Sequence, residues 1–439
     1  MRFTTLFVLA GGLIIATGAA AKTQITIATV NNPQMTVMKK LTPEFEKKYP
    51  NIEVNWAVMP ENKLRRKVTV DISTQAGSYD VVTLSNLETP LWAENGWLKP
   101  FENLSDSYDK SDLLKPVRQS LSHDGKLYSL PFYAESSFTY YRKDLFKKAG
   151  LKMPQHPSWE QITKFAKKLN DPANDVNGIC LRGKAGWGLN MAVFNTMVNT
   201  YGGRWFNNQW QPQLTSDAWH NALNKYLKLM NKYGPNGATS NGFVETENLF
   251  ANGRCAMWVD ATSGAGYISD SSKSKVADKV GFAWSPVAET KHGSHWLYAW
   301  SLAIPKTSRR QDAARKFIEW ATSKSYIQLV GQKKGWVNVP PGTRYSTYKN
   351  PNYKEAAGAY AQLAKKSINQ SNPTQPTSKP VPYTGVQFVA IPEFEAIGRQ
   401  VGQNVAAALA GQISADKALQ KSQKHVKGVM KQSGYYKNK

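Results

Sequence analysis

Two acidic residues stand where a carboxylate can act on a solute. Glu135 ends a strand-forming run that contains Pro131 and is followed by Ser136 and Ser137. Asp260 closes the segment AMWVDAT after Trp258 and Val259. Two carboxylates flanking one bond are the machinery of glycoside hydrolysis. The same groups also accept hydrogen bonds from hydroxyls. Nothing in their spacing separates an acid/base pair from two acceptors, so an enzyme and a binding protein both stay open at this point. Other reactive patterns are missing: the sequence has no G-x-S-x-G, H-E-x-x-H, P-loop or complete G-x-G-x-x-G. Ser272 and Lys275 match S-x-x-K within a Ser/Lys-rich stretch, where chance is the better account. His292 and His295 lack the further Cys or His that would complete a metal site. No metal and no cofactor are expected.

The surrounding pattern predicts how such residues are presented. A strand over residues 25–30 ends at Asn31-Asn32-Pro33, and a helix follows through Met38, Leu41 and Phe45. A second strand is expected over 52–58, a helix over 64–74, and a short buried strand over 80–84 that ends at Ser85-Asn86. This alternation argues for an α/β fold with a mainly parallel sheet. Ligands in such sheets gather at the carboxyl ends of strands, where the loops at 31–32, 85–88 and 134–136 fall. Further strands are expected over 138–141, 255–259 and 300–304. Ser158-Trp159-Glu160-Gln161 fits a capping box, with Ile162, Phe165, Ala166 and Leu169 on one helical stripe. Helices are also expected over 191–201, 219–233, 313–322, 400–410 and, behind a Ser414 cap, 415–431. Residues 365–382 are polar and contain four prolines, which predicts an irregular surface segment.

The chain has 439 residues, of which 41% are hydrophobic and 20% charged, enough for two domains with ordinary cores. Its 14 Trp and 20 Tyr suggest rings for stacking on ligand C–H faces as well as for packing. The formal charge of +25 invites a nucleic-acid reading. The lysines are scattered in pairs along polar helix faces, however, and no nucleic-acid motif accompanies them. The N-terminus reads as a secretion signal: Arg2, an apolar run, then Ala19-Ala20-Ala21 as a cleavage site. Export to the periplasm follows, as an expectation. In that oxidising compartment Cys180 and Cys255 can form a disulfide or remain two buried thiols.

The segment GKLYSLPFYAESSFTYYRKDLFKKAGLKMPQHPSWEQ, beginning at Gly125, resembles the crossover between lobes in extracellular solute-binding proteins of sugar-importing ABC transporters. The branch that binds linear sugar alcohols is the nearer likeness. MKKLTPEFEKKYPNIEV, LFANGRCAMWVDAT, AIPKTSRRQDAARKFIEWATS and PVPYTGVQFVAIPEFEAIG continue it along most of the chain. The resemblance implies a two-lobed, type II periplasmic binding fold of the maltose-binding kind, with a multi-strand hinge. It places residues 22–135 and 296–338 in a first lobe and 136–295 and 339–439 in a second, after a signal peptide over 1–21. It implies a monomer that captures sorbitol, mannitol or a related polyol and passes it to a permease, without chemistry. A mono- or oligosaccharide is the alternative cargo, and a secreted carbohydrate-active enzyme using Glu135 and Asp260 the rival class. Carried over by motif, the ligand-binding set is Asn31, Asn32, Asn86, Glu88, Glu135, Arg182, Lys184, Trp187, Asp260, Trp300, Arg344 and Gln387.

Overall fold

A computed structural model describes residues 21–436. The signal peptide expected over 1–21 therefore lies, but for Ala21, outside the described residues. Among the described residues ten strands follow in chain order: β1 (Thr23–Thr29), β2 (Ile52–Val58), β3 (Val81–Ser85), β4 (Ser122–His123), β5 (Lys126–Leu127), β6 (Leu130–Glu135), β7 (Ser137–Arg142), β8 (Met257–Ala261), β9 (Val280–Trp284) and β10 (Tyr298–Ala303).

The chain forms two lobes, each built on its own sheet. The first lobe holds five strands in the order β2-β1-β3-β10-β6, and the second holds β8-β7-β9. β1 pairs in parallel with β2 and β3. β3 is buried along its whole length, as its unbroken VVTLS run requires in a sheet covered on both faces. Helices Glu61–Ser73 and Gln311–Ala321 both pack on β1.

The expectation of mainly parallel sheets holds only for β1–β3. β10 runs antiparallel to both β3 and β6, and the second sheet is antiparallel throughout its named strands. The reason is the path of the chain. β10 enters the first sheet only after a long excursion through the second lobe, so no crossover helix brings it round to the parallel direction. β6 and β7 pass directly from one sheet into the other with Ser136 alone between them. Thr262 clamps this link, since its backbone N–H donates to the Ser136 carbonyl and its hydroxyl accepts from the Ser136 N–H.

Pro131 does not break β6. The strand lies at the sheet edge, and the register shifts so that Trp300 faces Tyr133 while Ser301 faces Pro131. The bulge takes up the one residue between, and an edge tolerates the missing N–H.

In the second lobe, the capping box of helix Trp159–Leu169 forms as the sequence predicts, and Ser414 caps helix Ala415–Gln432. Cys180 and Cys255 are joined as a disulfide, with a Cα–Cα separation of 5.9 Å. The polar stretch over 365–382 differs from expectation. Its first third belongs to helix Ala361–Gln370, whose Ala361, Ala364, Ser367 and Ile368 make a buried stripe against β6, β7 and β9. The remainder is irregular, but Thr377 is fully buried and donates to the Asn199 carbonyl.

Candidate ligand-binding site

Between the lobes lies a narrow, partly open cavity of about 20 Å³. Its first-lobe wall is chiefly β10 and its approach. Tyr298 and Trp300 alternate along β10, so the pleat puts both rings on one face, and Trp296 joins them from the approach to the strand. Asn32 and Glu61 complete that wall. The opposite wall is assembled from separate segments: Arg182, Trp187 and Gly188 from one loop, Ala192 and Phe243 from two helices, and Gln387 from a C-terminal loop. Glu135 sits at the seam, as the last residue of β6.

Six of the predicted residues thus meet around one space: Asn32, Glu135, Arg182, Trp187, Trp300 and Gln387. Glu135 is 7% exposed, and burial pushes its carboxyl up to about 7. Ser263 donates to its Oε2, while Arg142 pairs with Asp144 rather than with it. Asn32 Nδ2 donates to the Tyr133 hydroxyl at 2.8 Å, which holds the amide in place. Gln387 Nε2 donates to the Leu297 carbonyl, leaving Oε1 without a protein partner. The indole N–H groups of Trp187 and Trp296 are likewise buried and unpartnered.

Asp260 does not line the cavity, and its place there is corrected. Both its oxygens accept from Arg182 Nε at 3.0 Å, Oδ2 also takes the Trp258 indole N–H, and Oδ1 takes the Ala261 N–H. It is fully buried, and a carboxylate so committed cannot serve as an acid, a base or a solute's acceptor. Its work is to aim Arg182, whose Nη1 donates to the Gly188 carbonyl at 2.8 Å.

Five further expectations are corrected. Asn86 bridges the Leu297 carbonyl and the Ala299 N–H, so its amide is spent on fastening β10. Glu88 pairs with Arg65 and accepts from Ser85, behind the first-lobe wall. Asn31 and Lys184 do not line the cavity but an adjoining groove, which shares Asn32, Glu61 and Phe243 with it. Arg344 is wholly buried elsewhere: it donates to the carbonyls of Asp109 and Thr322 and pairs with Asp112.

Sequence reasoning missed Glu61, Gly188, Ala192, Phe243, Trp296 and Tyr298. The Trp-x-Tyr-x-Trp alternation was a usable signal for the two aromatics beside Trp300. Ala192 and Phe243 carry no such mark, because nothing distinguishes them from core residues before the walls are folded together.

The family of bacterial extracellular solute-binding proteins matches residues 30–328. A mannitol-binding protein of Pseudomonas aeruginosa is 49% identical over 422 residues, covering 96% of either chain. An ABC transporter solute-binding protein from Agrobacterium vitis, solved with bound D-mannitol, is 52% identical with a TM-score of 0.93, covering 94% of this chain and all of its own. A ribitol complex from Agrobacterium radiobacter is 26% identical with a TM-score of 0.82, covering 93% of this chain and 99% of its own. Glu135 and Asp260 are therefore not a hydrolytic pair: by its fold, its sequence and its cavity, this chain belongs to the bacterial extracellular solute-binding proteins.

Proposed function

We propose that this protein captures a linear sugar alcohol, D-mannitol foremost, between its lobes and delivers it to the permease of an ABC importer. The observation that carries the reading is the narrow cavity between the lobes, with aromatic walls and unpartnered donors and acceptors among its lining residues. A polyol hydroxyl both donates and accepts, so it can satisfy the indole N–H of Trp187 or Trp296 and the Oε1 of Gln387 in turn. Trp and Tyr faces cover the carbon chain. Each such bond adds about 0.5–1.5 kcal/mol, so several reach micromolar binding, about −8 kcal/mol. The names of the two relatives near 50% identity support the choice of mannitol.

Within this reading Asn32, Glu135, Arg182, Trp187, Trp300 and Gln387 contact the solute, joined by Glu61, Trp296, Tyr298 and Phe243. The first lobe comprises residues 22–135 and 296–338 and the second 136–295 and 339–439, although Arg344 reaches back to bond the first. The mature protein works as a periplasmic monomer once its leader is removed.

A thermal-shift panel of D-mannitol, sorbitol, ribitol, erythritol, glucose and maltose tests the proposal. A ligand at 100 times its dissociation constant adds about 2.7 kcal/mol to stability. The largest shift is expected with a hexitol and almost none with maltose. A larger shift with glucose or maltose would replace the polyol by a saccharide.

A further inference from the structure

The first turn of helix Glu61–Ser73 meets residues 185–188 of the second lobe. Arg65 of that helix is 8% exposed and is not among the residues that line the cavity. Its hydrogen-bond partners all belong to its own lobe: Glu61, Glu88 and the Tyr298 hydroxyl. What covers the guanidinium from the other lobe is Trp187, whose ring centre lies 4.0 Å away, while Trp300 of its own lobe lies at 5.2 Å. Beside it, Asn62 Nδ2 donates to the Ala185 carbonyl at 3.0 Å, another bond between lobes. Gly188 marks how close the approach is. A Cβ there would stand 2.0 Å from Glu61 Oε1 and 3.3 Å from Arg65 Nη2.

We propose that Arg65, seated on Trp187 and against Gly188, is a closure latch, a positioning residue that sets the population of the closed form without itself touching the solute. The inference rests on the reading that the solute is trapped between the lobes. Arg65 keeps its first-lobe bonds whether the lobes are apart or together. Only the Trp187 face is gained on closing, and a desolvated cation–π contact of this kind shifts a two-state ratio about tenfold or more. Affinity then follows the closed fraction, and the change falls mainly on release. Trp187 thus has two duties: one edge of its environment is the cavity and another is the arginine.

The test uses the full chain carrying one fluorophore on each lobe, read by single-molecule energy transfer with and without D-mannitol. Arg65→Met is expected to lower the ligand-free closed fraction about tenfold and to speed D-mannitol release about tenfold, with association changed less than about threefold. Gly188→Ala approaches from the opposite lobe and removes none of Arg65's first-lobe partners, although in the closed form its Cβ would press on Glu61 Oε1 as well as on Arg65. It should lower the closed fraction as well, and it decides the matter alone if Arg65→Met fails to fold. A closed fraction and a release rate unchanged in the folded variants would overturn the latch, whatever happens to melting temperature. Wild-type protein indifferent to D-mannitol would instead overturn the polyol reading, while the ligand-free closed fraction still decides the latch.

Discussion

The two walls of the cavity are made differently. The first-lobe wall is largely one strand approach, Trp296 to Trp300, set in register by β3 and β6 and pinned by Asn86. The second-lobe wall has no such spine. Its residues come from a loop, two helices and a distant C-terminal segment, and a buried ion pair between Arg182 and Asp260 holds the loop in place. A sheet positions side chains by backbone pairing that continues on both sides. A composite wall must be positioned by side chains, so single substitutions should reach further there.

The largest effect that would break this contrast is at Asp260. Asp260→Asn strands Arg182 as a buried cation with a poorer partner, and should cost about 3–5 kcal/mol in urea unfolding while abolishing the D-mannitol shift. A stable variant with unchanged affinity would mean that the loop needs no such anchor. Next comes the bridge at Cys180, two residues before Arg182. It closes a loop of 75 residues in the same lobe. Replacing both cysteines by Ala should cost about 2–5 kcal/mol of stability, read by calorimetry, but leave affinity nearly intact where the protein stays folded.

Glu135→Gln sharpens the contrast from the seam. Because it lines the cavity and makes no salt bridge, the expected result is a dissociation constant raised about tenfold with little change in melting temperature. The variant also isolates a pH effect. Burial raises the Glu135 carboxyl from 4.5 to about 7, so the folded protein binds a proton more tightly than the unfolded chain. Its contribution to stability is complete below pH 4.5 and is lost as pH rises through about 7. Wild-type protein should therefore lose more stability than Glu135→Gln between those limits, measured by urea melts across the range. Glu247, also buried and raised, pushes the same way, and since the Glu135 charge is among the causes that raise it, its part of the loss also shrinks in Glu135→Gln. The smallest effects belong to Asn31→Ala and Lys184→Ala, which should leave D-mannitol affinity within about twofold, by calorimetric titration, because neither lines the cavity.

The same contrast explains what was legible in the sequence. The strand–helix alternation over the first hundred residues announced β1, β2 and β3 within two residues of their ends, since each is an apolar run bounded by polar turns. Direction was not legible: β10 looks like any buried strand, and only its arrival from the other lobe makes it antiparallel. Among site residues, Glu135 was marked by its isolation between a strand and small polar residues. Asp260 had the same mark and a different fate, because Arg182, 78 residues earlier, folds onto it. Asn31 and Asn32 were indistinguishable as letters. The geometry of one turn puts Asn32 on both the cavity and the adjoining groove, and leaves Asn31 off the cavity. Arg344, carried over by motif, is structural, for a guanidinium satisfies buried carbonyls as readily as a solute.

Ser136 is the whole of the connection between β6 and β7, and both of its backbone polar groups are spoken for by Thr262. There is no slack at that point to lengthen. Lobe separation must be absorbed as torsion along paired backbone, in the manner of a stiff leaf spring rather than a tether. A reporter domain spliced in beside Ser136 would therefore cut the spring, whereas the same insert at an exposed turn remote from this strand would leave its travel intact.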